Sequence, residues 1–274
     1  MQQSWFSSLF CLSIAINISI VNFAKSQPSS ATAISALAPG TTIVGFDAQG
    51  HRLKFQIRSI ELDPQDPQQE TYLYTVFYQT KNQAWQNYCR ATDHFAAKAI
   101  ALRGTWDRSG TYQGNENRIT FSCLSGALAK CVRLGYRPWQ TIKGQSLKEY
   151  HQACVRMIRA DYCGDGTTHT QDGTRIDIYD RLGIQKRNGV PGMSFEAAWG
   201  IDGARSIHHT RYPKALAYVQ RVCPHRLASN TKTNQAPLAQ LQSPALLFND
   251  SAIKELNSST PRLDRDSPKS KSHI

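Results

Sequence analysis

The stretch SLKEYHQACVRMIRADYC, residues 146–163, holds the clearest helix signal in the chain. Ser146 with Glu149 three positions on forms a capping box. Leu147, Tyr150, Cys154 and Met157 then recur at helical spacing, which puts Cys154 on the buried stripe. If the helix runs to Ala160, Cys154 and Cys163 are too far apart to pair, because bonded cysteines need α-carbons within about 7 Å. Disulfides between different elements are expected instead.

Upstream, the period is that of strands. TTIVGF (41–46), HRLKFQIRSIEL (51–62), ETYLYTVFYQT (70–80), AKAIALRGTW (97–106) and RITFSC (118–123) are rich in β-branched and aromatic residues that largely alternate. In the second run Leu53, Phe55, Ile57 and Ile60 lie near one face. Residues 41–123 therefore read as five or six antiparallel strands. A first helix is expected in SGALAKCVRLGY, with Ser125 as N-cap and Gly135 at the left-handed C-terminal position. After residue 163, TRIDIY reads as a short strand, SFEAAWGIDGARSIHHT as a hairpin turning at Asp202-Gly203, and YPKALAYVQRVC as a last helix. The fold class is α+β: an antiparallel β-rich half, then two or three helices and a β-hairpin, braced by disulfides.

The N-terminus carries an uncharged apolar run, residues 4–24, followed by Ala24-Lys25-Ser26, which reads as a secretory signal cleaved near residue 26. An uncleaved membrane anchor is the runner-up, since the run approaches spanning length. The expected organisation is a signal over 1–26, a linker over 27–40, a domain over 41–225 and a disordered tail over 226–274. Removal of the signal would also remove Cys11 and leave Cys89, Cys123, Cys131, Cys154, Cys163 and Cys223. An even number of cysteines in an exported chain points to disulfides, whose pairing the sequence leaves open. None shows a CxxC zinc spacing.

The net charge is +12. A basic exported surface favours anionic partners, such as an anionic envelope component or an acidic polysaccharide. No basic run interleaved with stacking aromatics is present, so specific nucleic-acid binding is not expected.

Residues 160–180, ADYCGDGTTHTQDGTRIDIYD, pack five aspartates and a histidine among turn glycines. Asp165, Asp172, Asp177 and Asp180 offer the hard oxygen ligands that calcium or magnesium prefers. His169, with His208 or His209 from the later hairpin, would suit a transition metal or a histidine–carboxylate acid–base pair. The rival reading is structural: aspartates bonding backbone amides in turns, with Asp177 on the polar face of a strand. No G-x-S-x-G elbow, H-E-x-x-H, phosphate-binding loop or dinucleotide fingerprint occurs, which lowers the enzyme reading without removing it.

Ala160-Asp161-Tyr162-Cys163, with FSCLSGALAKCVRLGYRPW (121–139), residues 151–185 and FEAAWGIDGA (195–204), resembles the ADYC-domain family of bacterial exported proteins. The resemblance implies an exported domain and assigns no catalytic role to any residue. The sequence thus leads to two expectations: a non-catalytic envelope or secreted binding module, or a metal-assisted hydrolase of envelope material centred on the segment 161–180.

Overall fold

The computed structural model describes residues 16–19, 37–47, 50–228 and 245–253. Its first sheet contains β1 (Ile16–Ser19), β2 (Thr42–Phe46), β3 (Arg52–Leu62), β4 (Tyr72–Gln79), β5 (Trp85–Asn87), β6 (Ala99–Arg103) and β7 (Arg118–Cys123). The strand order is β3-β2-β1-β7-β6-β4-β5, and β3 also pairs with β4. Six antiparallel strands therefore close on themselves, with β5 added beside β4. The long β3 makes closure work, because its first half pairs with β2 and its second half with β4.

A register shift between Ile57 and Ser59 marks a bulge in β3. The extra residue resets the alternation, so Ile60 returns to the face already taken by Phe55 and Ile57. That face, with Tyr74, Val76 and Phe121, fills the interior of the closed sheet. β6 is buried on both sides: Ala99 and Ala101 face this interior, while Ile100 and Leu102 join a second core. Its unbroken apolar run AIAL follows from that double burial.

The second core runs from the closed sheet around a helical layer made by α1 (Ala127–Arg133) and α2 (Leu147–Arg159) and on to a second sheet. α1 starts at Gly126 rather than the expected Ser125, with no side-chain cap. α2 begins at the expected cap, Ser146, but the hydroxyl accepts from the Lys148 amide rather than from that of Glu149, as a capping box would have it. Behind the helices stands a four-stranded antiparallel sheet of β10 (Ile176–Asp180), β11 (Ser194–Gly200), β12 (Gly203–Ile207) and β13 (Leu247–Ser251), in the order β10-β13-β11-β12. β8 (Thr141–Ile142) and β9 (Gln145–Ser146) form a small ribbon before α2, and α3 (Pro213–Val222) follows the hairpin. The hairpin turn is Ile201–Asp202, one residue earlier than expected, because Gly200 pairs with Gly203.

Three disulfides brace this body: Cys89–Cys123 across strands, Cys131–Cys154 between α1 and α2, and Cys163–Cys223 from the end of α2 to the end of α3. Each joins separate elements, and Cys154 does not meet Cys163. The α+β class with its antiparallel sheets, helices and disulfides is as the sequence predicts.

The termini differ from expectation. The tail over 226–274 is not uniformly disordered: Leu247–Ser251 forms a wholly buried strand between β10 and β11. Five residues amid polar sequence have too little period to mark a strand, and here the slot supplies the order. Leu37 is buried in the closed sheet, so the expected linker contributes one residue to the core, while residues 38–40 are exposed. Of the expected signal, only the backbone of Ile16–Ser19 is described, running antiparallel between β2 and β7. The remainder of 1–26, most of the linker and the rest of the tail lie outside the described residues.

Candidate functional site

The loop that ends α2 organises everything around it. Ala160 adopts a left-handed conformation, φ 50°, and closes the helix. Asp161 turns inward, accepting from Arg156 Nη1 at 2.5 Å and the Gly166 amide at 3.0 Å. Burial pushes the Asp161 carboxyl up, more than Arg156 and the Gly166 bond draw it down. Tyr162 is fully buried and donates to Glu196 Oε1 at 2.9 Å, while its oxygen accepts from the Arg211 amide. Cys163 then fixes the loop to α3 through Cys223.

Glu196 and Arg211 form an ion pair at 2.9 Å with almost no exposure. Such a pair is sustained only when the remaining donors and acceptors are also bonded. Here they are: Asn249 Nδ2 donates to Glu196 Oε2 at 2.7 Å, and Arg211 Nη2 donates to the Met157 carbonyl at 2.7 Å. Burial alone would push the Glu196 carboxyl up, yet Arg211 and the hydrogen bonds hold it below the usual glutamate range.

The hairpin turn docks on the same loop. The Ala204 amide donates to the Tyr162 carbonyl at 2.9 Å. A β-carbon on Gly164 would stand 1.7 Å from the Asp202 carbonyl oxygen, so only glycine admits this approach.

The six residues singled out in the sequence fall into separate settings. Asp165 accepts from Tyr218 Oη at 2.6 Å and the Thr167 amide at 2.9 Å. The His169 ring lies 4.6 Å from that of Tyr218, so Tyr218 is a shared neighbour of Asp165 and His169. Burial lowers the His169 pKa against the pull of Asp165 and Asp161. Asp172 is exposed, 3.9 Å from Lys130 Nζ. Asp177 is buried rather than on a polar face, because it accepts from the Asn188 and Gly189 amides and ties that loop to β10. Asp180 accepts four consecutive amides, from Leu182 to Gln185, and the Tyr136 hydroxyl. His208 packs edge-on against Phe195. Among the described residues, no group of three or more His, Cys, Asp or Glu side chains is arranged to hold a metal ion.

A space large enough for a ligand lies elsewhere. A cleft of 1110 Å³ runs between the closed sheet, α2 and the β11–β12 turn. At its mouth stand Tyr72, Trp139 and Ile201, which are 48%, 47% and 43% exposed and rank among the most exposed large apolar side chains described. Arg137, just before Pro138-Trp139, pairs with Asp66 in the loop leading to Tyr72, which couples the two aromatic positions. Deeper in, Trp106 packs against Tyr112 with ring centres 4.9 Å apart. Gln152 on α2 accepts from the Tyr112 amide and donates to the Gly110 carbonyl, fixing that turn to the helix.

Polar groups project between the aromatics. Glu116 Oε1 accepts from Tyr112 Oη at 2.5 Å and Lys148 Nζ at 2.6 Å. Burial raises the Glu116 pKa, but Lys148, Tyr112 and Arg103 outweigh that and hold it below the usual range. Burial and the bond to Glu116 push the Tyr112 hydroxyl up to about 12. Arg156 is held by Asp161, by Thr111 Oγ1 at 2.6 Å and by the Ile201 carbonyl at 3.2 Å. The lining holds as many cations (Arg103, Lys148 and Arg156) as carboxylates (Glu116, Glu149 and Asp202), so its formal charge is balanced. The sequence reading missed this cleft. Its residues come from widely separated stretches, so no local pattern marks it.

Taken together, the closed antiparallel sheet, helical layer and second sheet define a disulfide-braced α+β domain. The chain matches the ADYC domain over residues 38–213 and belongs to that family. No curated protein and no solved structure matches it.

Proposed function

We propose that this chain is an exported, non-catalytic binding module whose cleft takes a strand of polysaccharide. Three disulfides accord with an oxidising, extracytoplasmic setting. The observation that carries the reading is the placement of Tyr72 and Trp139, exposed on a cleft whose lining combines aromatic rings with ionised side chains. Aromatic faces pack on the C–H faces of sugar rings, and carboxylates, ammonium and guanidinium groups bond the hydroxyls. The depressed pKa of Glu116 makes it a persistent acceptor and a poor proton donor, which favours binding over acid catalysis. Because the lining is balanced, the surplus positive charge of the chain lies outside the cleft and would add only screened, non-selective attraction.

The test is calorimetric titration of the oxidised full chain with a neutral series (cello- and chito-oligosaccharides) and an acidic one (oligogalacturonates), in low salt and in about 0.5 M salt. Saturable binding that survives salt and disappears with Trp139→Ala is expected. Binding confined to the acidic series, abolished by salt and indifferent to Trp139→Ala, would transfer the activity to the basic surface.

A further inference from the structure

β13 differs from the other strands of its sheet. It lies beyond the stretch matched by the family, and it enters the sheet from far along the chain, since β12 ends at Ile207 and β13 begins at Leu247. Yet it is inserted between β10 and β11 rather than added at an edge.

All five residues of β13 are buried, and it pairs antiparallel with both neighbours. Leu247 enters the second core, and Phe248 stacks on Tyr179 at 5.6 Å. Asn249 makes two bonds of opposite sense, donating to Glu196 Oε2 and accepting from Trp199 Nε1, both at 2.7 Å. Asp250 accepts from Arg187 Nε at 2.7 Å and Tyr179 Oη at 3.2 Å.

The body that receives this strand is braced without it. All three disulfides fall between Cys89 and Cys223, and two of them tie down α2 and the Tyr162 loop on which the sheet packs. β13 is held by backbone pairing and side-chain contacts alone.

We infer that the slot between β10 and β11 is a sequence-selective peptide site, which takes an extended Leu-Phe-Asn-Asp segment by strand addition. Its occupant is the 247–251 segment of the same molecule, which is seated there in the structure. Leu247 and Phe248 provide apolar anchorage, and Asn249 provides selectivity. A residue unable to accept would leave Trp199 Nε1 buried and unpaired, and one unable to donate would strip a bond from the buried Glu196 carboxylate. This site stands apart from the cleft and from whatever the cleft binds.

The test uses the full oxidised chain with a protease site introduced between residues 229 and 244. After cleavage, the 245–274 fragment is expected to stay bound under native conditions. A labelled peptide covering 244–253 should then replace it saturably, and the Asn249→Ala peptide should bind about tenfold more weakly or worse. Three results would overturn the inference: no exchange short of global unfolding, collapse of the body once the fragment leaves, or equal binding of the Asn249→Ala peptide. Because the substitution is confined to the peptide, folding of the protein is not at issue.

Discussion

Asp161 binds Arg156 at 2.5 Å, and Arg156 lines the cleft. The aspartate of the Ala-Asp-Tyr-Cys loop thus acts at a distance, holding a guanidinium in place with its own carboxylate wholly buried. Asp161→Asn keeps the shape and removes the charge that Arg156 needs. Loss of one partner of a buried pair costs about 3 kcal/mol or more. A lowered denaturation midpoint is expected in guanidinium titrations, and an unchanged midpoint would show that burial of Asp161 cancels what the pair contributes.

Gly164 meets the Asp202 carbonyl where a β-carbon would stand 1.7 Å away, and its φ is +75°. Gly164→Ala should therefore push the β11–β12 turn off the loop. The expected result is faster hydrogen exchange at the Ala204 amide, which normally donates to the Tyr162 carbonyl. Exchange at that amide as slow as in the parent chain would disprove the close approach.

The Cys163–Cys223 bridge spans 60 positions and Cys131–Cys154 spans 23. Chain-entropy arguments give about 4 kcal/mol for the longer loop and about 3 kcal/mol for the shorter. Double substitution of each pair by alanine, followed by urea titration, should show the larger loss for Cys163 and Cys223. The reverse order would mean that native packing, not loop closure, sets their worth.

His151 is buried, its Nε2 3.1 Å from the Leu128 carbonyl, and burial lowers its pKa to about 4. The folded state therefore holds the neutral ring. Its contribution is fully present above the unfolded value of about 6.5 and is lost as pH falls from there to about 4. The loss amounts to about 3 kcal/mol across that window. Stability measured from pH 7 to pH 4 should fall, and His151→Gln should flatten that part of the slope. An equally steep profile in the variant would assign the acid sensitivity to other groups.

Local pattern carried the sequence reading a long way. Alternation in β3 and β4, the Ser146 cap and helical stripe of α2, and the β11–β12 hairpin, read with its turn one residue late, all depend on neighbours within a few residues. Those are interactions that a linear sequence displays. The cysteines likewise announced bracing, though their partners emerged only when separate elements met.

The α+β class and the disulfide bracing were thus legible before any folding was considered. The rest was decided by packing. Asp165, Asp177, Asp180 and His208 look like ligands when read in a row, but turns and strands send them to different partners. Tyr72, Trp139 and Arg156 look unrelated until closure of the first sheet against α2 places them on one cleft. Leu247–Ser251 reads as tail because a strand so short gains its order from the slot that surrounds it. In each case the deciding contacts join residues far apart in the chain, and only the folded packing brings them together.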